Sequence, residues 1–258
     1  MTGQTTAPAQ KNGRPLLQGI GVTKLYGGLA ALNRVDFDVY PGEIVGLIGP
    51  NGSGKTTLFD CLSRVQDLDG GQVFFKGEEI SKKKPYQVAH MGLSRTFQVF
   101  RVYRKLTALE NMLLSRQWRE VTLIEKLTPT PTKTVERARH LLEFLTLTHL
   151  VDEQAGNLSG GQQRLLEIGM ALMPDPDIIL LDEAASGINP VLVNTITDRI
   201  RQLSEEQGKT FLLIEHNMEF IGDLCSRVFV LNFGEKLAEG TPEEVVVNED
   251  VIAAYFGT

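Results

Sequence analysis

The sequence predicts an α/β fold with a mostly parallel central sheet, on the strength of three observations. Residues 49–57 read GPNGSGKTT, which matches the phosphate-binding pattern G-x-x-x-x-G-K-[ST] at every position. Residues 177–181 read DIILL, a largely apolar run of the kind that parallel sheets bury on both faces. From residue 158 onward, strand patterns alternate with helix patterns, which is typical of strand–helix–strand units.

Antiparallel strands are predicted before and after residues 49–57, the phosphate loop. Residues 35–40 alternate apolar and acidic side chains, as a half-buried strand does. Pro41 and Gly42 favour a turn, and a helix is predicted from Thr57. The strands of this part are predicted at residues 16–22, 35–40, 43–48 and 72–76, with turns at 27–28 and 82–84.

The middle of the chain is predicted to be mainly helical. Its elements are predicted at residues 92–97 (strand) and at 107–119 and 133–145 (helices), with a Pro/Thr stretch at 128–132 between the helices. Residues 99–157 therefore read as a helical insertion. A further helix at residues 160–172 extends this helical subdomain to about residues 99–175.

The last third is predicted to return to strands and helices. A helix begins at Pro190, a residue that suits the first helical position. The later elements are predicted at residues 210–214, 228–231 and 235–238 (strands) and at 242–247 and 251–256 (helices). The predicted organisation is one domain over residues 15–258 after a flexible tail of residues 1–14.

Composition restricts the class of protein. Of 258 residues, 42% are hydrophobic and 22% charged, and the net charge of −6 does not favour nucleic acid as a partner. No apolar run approaches the roughly 18–20 residues that cross a bilayer, and the N-terminus lacks the apolar centre of a signal peptide. The two cysteines, Cys61 and Cys225, indicate small buried side chains in a reducing compartment and not a disulfide framework or zinc site.

The phosphate loop predicts a nucleotide site. Its glycines let backbone N–H groups approach a phosphate, and the helix that follows adds positive charge at its N-terminus. Lys55 is expected to reach the β- and γ-phosphates, and the Thr56 hydroxyl to take a place on Mg²⁺. The residues predicted to bind the nucleotide here are Asn51, Gly52, Ser53, Gly54, Lys55, Thr56 and Thr57.

Two acids follow the apolar run at residues 177–181. Acids at the carboxyl end of such a strand lie beside a phosphate loop on a neighbouring strand. Asp182 is predicted to hold Mg²⁺, and Glu183 to accept a proton from the attacking water or to orient it. The alternative is that both acids only begin a solvated turn.

A short motif, LSGGQ at residues 158–162, opens the next helix and is called the signature segment below. Ser159 is a natural N-cap, whereas Gly160 and Gly161 in the first turn lower helix stability. That cost predicts the close approach of another backbone or of a phosphate. A helix N-terminus with a serine hydroxyl suits a γ-phosphate, so Ser159, Gly160, Gly161 and Gln162 are predicted to bind ATP.

The order of these motifs, with Gln98 before them and His216 after them, resembles an ABC-type ATPase (ATP-binding cassette) from about residue 16 to the end. The resemblance implies a P-loop NTPase cassette with a RecA-like mixed and parallel core, an antiparallel β subdomain and an α-helical subdomain. It also implies roles for three residues: Tyr26 stacks on adenine, Gln98 senses Mg²⁺ and the attacking water, and His216 contacts the γ-phosphate. The alternatives are a packed tyrosine, a surface amide and a structural histidine.

Two departures and several further motifs narrow the resemblance. Ala184 stands where the family often has proline, and Asn189 stands where it commonly has aspartate. Motifs such as RTFQ at residues 95–98 and EHNMEF at residues 215–220 resemble the ATP-binding subunits of branched-chain (hydrophobic) amino-acid importers. Open alternatives are a lipopolysaccharide-export or other ABC transporter ATPase, a soluble ATPase of iron–sulfur cluster assembly, and a regulatory module that does not hydrolyse ATP.

The resemblance also implies partners. Two cassettes, alike or different, close on two ATP molecules, and Lys55 and Thr56 of one face Ser159 and Gly161 of the other. The motion is passed to transmembrane permease subunits at the cytoplasmic face of the inner membrane, where the cassette is peripheral, and an external amino-acid-binding protein takes part indirectly. We expect Phe100 and Tyr103 to line the groove for the permease, because residues 99–103 mix apolar and basic side chains.

Overall fold

The computed structural model describes residues 13–96, 102–116 and 130–256 of the chain. The tail prediction for residues 1–12 therefore lies outside the described residues, and so does Gln98. The strands are β1 (Leu17–Tyr26), β2 (Leu29–Val39), β3 (Ile44–Ile48), β4 (Gly70–Phe75), β5 (Glu78–Glu79), β6 (Leu93–Arg95), β7 (Ile178–Asp182), β8 (Thr210–Ile214), β9 (Arg227–Asn232) and β10 (Glu235–Gly240). The helices are α1 (Lys55–Leu62), α2 (Pro85–Met91), α3 (Ala108–Leu114), α4 (Thr132–Phe144), α5 (Gly160–Leu172), α6 (Pro190–Gln207), α7 (Met218–Leu224), α8 (Pro242–Val246) and α9 (Glu249–Phe256).

Four strands form an antiparallel sheet in the order β2-β1-β4-β5. The hairpin of β1 and β2 turns between Tyr26 and Leu29, as the two glycines there predict. One face of this sheet is apolar and the other meets solvent, so its strands show mixed burial. Phe37 of β2 stacks on Phe229 of β9 with ring centroids 5.9 Å apart, which joins this sheet to the larger one.

Six strands form the second sheet in the order β10-β9-β3-β8-β7-β6. All its pairs are parallel except that of β10 with β9. Every residue of β3, β7 and β8 is buried, as their apolar sequences predict. Leu47 and Asp182 both pair with Ile214, so the carboxyl ends of these three strands lie side by side.

Helices and the antiparallel sheet cover the two faces of the parallel sheet. Successive strand residues enter different apolar clusters: Ile179 and Leu181 pack in one with the helical subdomain, whereas Ile178 and Leu180 pack in the other with α1. This two-sided burial is what a period of two residues requires of a central strand. The large parallel sheet therefore has few places for a polar side chain except at the strand ends.

The helical subdomain is built from α3, α4 and α5. Gly169 of α5 allows the close approach of Met112 and Leu145, because a methyl group at Gly169 would lie within 3.0 Å of both side chains. None of the helices in the described part of the chain has the length and apolar composition needed to cross a membrane.

The structure corrects several predicted boundaries. Helix α1 begins at Lys55, not Thr57, because Gly54 has a φ of 105° and ends the loop there. Helix α3 ends at Leu114, well before residue 119, and the Ser115 hydroxyl donates to the carbonyl of Asn111 at 3.1 Å. Two helices were not predicted from their sequence patterns: α2 buries only Val88, and both α2 and α7 span seven residues, so neither has an apolar stripe long enough to detect.

Candidate active site

The candidate site lies at the carboxyl edge of the parallel sheet. The phosphate loop follows β3, Glu183 follows β7, and His216 lies two residues after β8. Since β8 pairs with both β3 and β7, residues that are far apart in sequence are brought to one crevice. Crevices at the carboxyl ends of parallel strands are the usual ligand sites of such sheets.

Close packing and backbone conformation fix the glycines of the phosphate loop. Gly49 has a φ of 148°, and a methyl group there would lie 2.1 Å from the carbonyl oxygen of Leu231. At Gly54 a methyl group would lie 2.4 Å from the carbonyl oxygen of Ala31. The Gly234 N–H donates to the Ser53 carbonyl at 3.0 Å, so the β9–β10 turn also supports the loop.

The loop presents groups that suit an anion. The Lys55 ammonium is buried and donates to the carbonyl oxygens of Gly49 and Pro50 at 2.7 and 3.0 Å. Burial lowers the pKa of Lys55, and the nearby carboxylates of Glu183 and Asp182 act in the opposite direction. Residues 51, 52 and 56 are exposed. A positive charge beside exposed backbone N–H groups is what a phosphate group requires.

Ser53 and Asp182 show that the crevice fits a nucleotide with a divalent cation. Their Oγ and Oδ2 atoms are buried and make no hydrogen bond within the described residues. Burial raises the pKa of Asp182, and the guanidinium of Arg95, 3.5 Å from its Oδ2 atom, opposes the rise. A carboxylate oxygen left without a hydrogen bond suits a hard cation.

A second contact fixes the backbone of Asp182. Its N–H donates to the Thr96 hydroxyl at 3.1 Å, and Arg95 also pairs with Asp60 of α1 at 2.6 Å. Strand β6 therefore links the end of β7 to the helix that follows the phosphate loop. Within the described ranges, no group of three or more His, Cys, Asp or Glu side chains is arranged to hold a metal ion by itself.

Glu183 and His216 are brought together as a pair. Glu183 Oε1 lies 3.3 Å from His216 Nε2, and the two side chains are 18% and 42% exposed. The Glu183 backbone is left-handed, with a φ of 53°, and its N–H donates to the Ile214 carbonyl at 2.8 Å. A half-buried carboxylate beside an imidazole can accept or orient a proton.

Glu215 is a part of the site that the sequence reasoning missed. It is 3% exposed and accepts hydrogen bonds from the N–H groups of Ala185 and His216 at 2.7 and 3.3 Å. Burial raises the pKa of Glu215 to about 7. The sequence carried a signal for Glu215, because this carboxylate directly follows the buried strand at residues 210–214. Its side chain is buried at the same edge of the sheet as Glu183.

The signature segment caps α5 as predicted. The Gln162 N–H donates to the Ser159 hydroxyl at 3.4 Å, and the Ser159 N–H donates to the Gln162 side chain at 2.9 Å. At Gly161 the close neighbour is a side chain of the same chain, because a methyl group there would lie 2.2 Å from Leu192 of α6, and the ATP contact of Gly161 stays a prediction. At Gly160 the same methyl group would meet nothing within 4 Å, so that side of the turn is open.

Two further predicted residues have clear positions. Tyr26 lies at the end of β1 and is 47% exposed, which is not the burial of a packed core tyrosine. The Lys24 ammonium lies 5.5 Å from the centre of its ring. Asn189 caps α6 by accepting the Leu192 N–H at 3.0 Å, so it keeps the capping function that an aspartate would have.

This combination of sheets, helical subdomain, phosphate loop and signature segment defines an ATP-binding cassette. Residues 32–186 match a family model described as ABC transporter, and residues 235–258 match one described as branched-chain amino acid ATP-binding cassette transporter. The chain belongs to the ABC transporter family. It is a nucleotide-binding ATPase of that family.

Relatives and solved structures agree with this placement. The high-affinity branched-chain amino acid transport ATP-binding protein LivG of Escherichia coli strain K12 is 39% identical over 251 residues, which cover 95% of this chain and 98% of that protein. BraF of Pseudomonas aeruginosa, described in the same words, is equally similar. A nucleotide-free cassette from an ABC transporter superposes with a TM-score of 0.85 at 34% identity, covering 95% of this chain and all of the other.

Proposed function

We propose that this chain is the ATP-hydrolysing subunit that powers import of branched-chain or other hydrophobic amino acids through a membrane permease. The observation that carries the proposal is the match of residues 235–258 to a model of that transporter group, because this segment lies outside the general ATPase motifs. The similarity to LivG and BraF along nearly the whole chain supports the same substrate class.

In this proposal the crevice binds ATP through the phosphate loop. Lys55 exchanges its contacts with two loop carbonyls for contacts with the β- and γ-phosphates. The backbone N–H groups of residues 51–57 surround the phosphates, and the exposed ring of Tyr26 stacks on adenine. The buried Ser53 hydroxyl gains a partner when the nucleotide is bound.

The residues proposed to hold Mg²⁺ are Thr56, Asp182 and Gln98, of which Gln98 lies outside the described residues. The exposed Thr56 hydroxyl and the Asp182 Oδ2 atom are the two oxygens that the described part of the chain supplies. When bound, the cation neutralises charge on the β- and γ-phosphate oxygens. Burial raises the pKa of Asp182, and Arg95 acts in the opposite direction by favouring the ionised carboxyl, the form that binds a cation.

Hydrolysis is assigned to Glu183 with His216. The Glu183 carboxylate accepts a proton from the attacking water or fixes its orientation. The water oxygen bonds to the γ-phosphorus as the bond to the β–γ bridging oxygen breaks, which gives ADP and phosphate. His216, whose ring nitrogen lies 3.3 Å from Glu183 Oε1, holds the carboxylate and contacts the γ-phosphate. Once it has left the carbonyls of Gly49 and Pro50, the Lys55 ammonium stays beside the transferred charge.

The complete site is formed by two cassettes. Ser159 and Gly160 are exposed, and the space beside Gly160 is open, so the N-terminus of α5 can meet the nucleotide of a second cassette. A dimeric cassette with bound ADP and Pi, 26% identical to this chain with a TM-score of 0.76, supports such a dimer. ATP favours closure because it contacts both chains.

A groove beside the site is the proposed docking place of the permease at the cytoplasmic face of the membrane. It has a volume of about 410 Å³ and lies between α2, β6 and the end of α5. Val65 and Tyr86, both at least half exposed, contribute apolar surface, and Arg95 connects the groove to Asp182. Tyr103, which was predicted to line the permease groove, is 58% exposed but is not among the residues that line this cavity, and Phe100 lies outside the described residues.

A co-purification experiment tests the transport assignment. Tagged Glu183→Gln is expected to bind ATP but to hydrolyse it slowly, so it should trap the closed complex in detergent-solubilised membranes of the source cells with ATP and Mg²⁺. Mass spectrometry should find two multi-span permeases and a second cassette. When the same pull-down starts from intact cells, it should also find an external binding protein. Glu79→Gln, an exposed carboxylate of β5, is the matched control and should trap no closed complex.

Two results would overturn the substrate class and leave the ATPase unaffected. Recovery of only soluble cluster-assembly proteins would assign the chain to iron–sulfur biogenesis, and recovery of lipid-export permeases would assign it to lipopolysaccharide transport. Uptake of labelled leucine by proteoliposomes that contain the recovered complex gives a direct second measurement. This uptake should require ATP on the side of the membrane where the cassettes lie.

A further inference from the structure

The backbone at Glu183 requires outside support. Its φ of 53° is a left-handed conformation, which is strained for a residue with a Cβ atom. Such strain persists only where the surrounding structure holds it. Two local contacts help: the Glu183 N–H donates to the Ile214 carbonyl at 2.8 Å, and the Ser186 N–H donates to the Glu183 carbonyl at 3.1 Å.

A third contact comes from Arg164, on the helix that begins in the signature segment. One of its terminal nitrogens, Nη2, donates to the Glu183 carbonyl at 2.7 Å and to the Asp182 carbonyl at 3.1 Å. The other, Nη1, pairs with Glu167 Oε2 at 2.6 Å. Arg164 is 2% exposed, so these contacts are formed in a desolvated environment.

We propose that Arg164 is a positioning residue for Glu183, and this inference rests on the catalytic role given to Glu183 under the proposed function. By binding two consecutive carbonyl oxygens, the guanidinium fixes the peptide planes on both sides of the Glu183 Cα atom. That fixes the direction in which the carboxylate leaves the backbone. Displacements of about 1 Å at a reacting group cost roughly a hundredfold in rate, so a group that sets this direction affects catalysis without touching ATP.

Glu167 makes this arrangement possible. A buried guanidinium needs a counter-charge, and Glu167, on the next turn of the same helix, supplies it. Glu167 therefore neutralises the buried positive charge, and Arg164 positions the Glu183 backbone.

The location of Arg164 gives the contact a consequence for the dimer. Ser159 and Arg164 are five residues apart on one helical path, which corresponds to about 7–8 Å of helix axis. A helix is stiff over that length, so a shift of its first turn moves the guanidinium as well. Occupation of Ser159 by the nucleotide of the other cassette would therefore adjust the Glu183 backbone in its own chain.

The test compares variants in single-turnover ATP hydrolysis and in binding of a fluorescent ATP analogue. The double variant R164M/E167Q removes both buried charges together, and R164K keeps one donor group. E167Q alone is the matched control, because its amide oxygen can still accept a hydrogen bond from Arg164 Nη1 and so keep the guanidinium in place. We expect R164M/E167Q to slow hydrolysis on the order of tenfold to a hundredfold, with R164K intermediate, E167Q within about threefold and nucleotide affinity within about twofold.

A second background separates positioning from a merely structural role. In Glu183→Gln, where the carboxylate is gone, R164M/E167Q should cause no further slowing, because residues that act as a unit are non-additive. Equal slowing in both backgrounds, or a loss of nucleotide affinity, would overturn the inference. If the double variant does not fold by circular dichroism, R164K against E167Q decides, and greater slowing by E167Q overturns it.

The same data distinguish this inference from the proposed function. If Glu183→Gln hydrolyses ATP at the wild-type rate, the catalytic role of Glu183 is wrong and the positioning role fails with it. If Glu183→Gln is slow and R164M/E167Q is as fast as the wild type, only the positioning role fails.

Discussion

In the six-stranded sheet, β3, β7 and β8 are buried at every residue, whereas β1 and β2 of the four-stranded sheet mix buried and exposed residues. The chemistry follows the same division. The phosphate loop, Glu183 and His216 follow the fully buried strands, and of the proposed site residues that the structure describes, only Tyr26 lies on the antiparallel sheet. A strand covered on both faces leaves polar groups room only at its ends, so the acids there indicate a site.

The antiparallel sheet also supports the site. The carbonyl of Ala31 in β2 lies against Gly54, and Arg227 of β9 pairs with Asp38 at 2.9 Å and with Glu43 at 2.8 Å. The sheet therefore supports the phosphate loop from one side. Its strands contribute through contacts at particular residues, and the parallel strands contribute through burial along their whole length.

The largest expected difference concerns burial in the two sheets. Ile179→Ala in β7 should lower the free energy of unfolding by about 3–4 kcal/mol, because the side chain is fully buried and a cavity would remain. Ile20→Ala in β1, where the side chain is 47% exposed, should lower it by less than about 1 kcal/mol. Urea unfolding of both variants measures the contrast, and similar losses would show that the sheets do not differ in this way.

A smaller effect is expected where the sheets meet at the phosphate loop. Gly54→Ala combines a φ of 105° with a 2.4 Å approach to the Ala31 carbonyl, so it should cost about 2–3 kcal/mol and weaken ATP binding. Gly27→Ala in the β1–β2 turn also has a positive φ but meets nothing within 4 Å. Its cost should be about 1 kcal/mol with unchanged binding of a fluorescent ATP analogue. Equal effects on binding would remove Gly54 from the loop's support.

The smallest effect concerns the buried carboxyl group at the end of β8. The pKa of Glu215 is about 7 in the folded chain and 4.5 as its ordinary value, so between these values the folded chain holds a proton that the unfolded chain has released. Stability from this group is fully present below pH 4.5 and is lost as the pH rises through 7. From pH 5 to pH 8, Glu215→Gln should therefore lose less stability than the wild type, by roughly 1–3 kcal/mol.

The control for this pH dependence is Glu79→Gln on the antiparallel sheet. Glu79 is exposed, so replacing it should leave the wild-type profile of urea midpoints between pH 5 and pH 8 unchanged. Parallel profiles for Glu215→Gln and the wild type would mean that burial does not raise the Glu215 pKa as stated.

Sequence patterns predicted the parts of the fold that depend on burial and on motifs. The three apolar strands, the capped start of α5 at Ser159 and the start of α6 at Pro190 are confirmed. The patterns failed where few residues are buried, as in α2, or where a short helix such as α7 depends on the Asn217 cap. They also could not distinguish Gly161, which accommodates Leu192 in its own chain, from Gly160, which faces open space.

Contacts between distant segments could not be predicted from the sequence, for a physical reason. Arg164 reaches carbonyls nearly twenty residues away, and Glu215 reaches the N–H of Ala185 thirty residues away. Neither partner is a side chain, so no residue type at the partner position announces the contact. Backbone groups accept and donate in every residue, and only the folded path of the chain decides which ones meet.

The hydrogen bond from Gly234 to Ser53 places two kinds of sequence side by side. Ser53 belongs to a motif that nucleotide-binding proteins of many activities share, and the segment that matches the branched-chain transporter model begins at Glu235, directly after Gly234. The nucleotide-binding motif and the segment that matches the transporter group are thus joined at this turn. Substitutions in residues 235–258 can therefore change how tightly the phosphate loop binds ATP while every residue of the nucleotide-binding motifs stays the same.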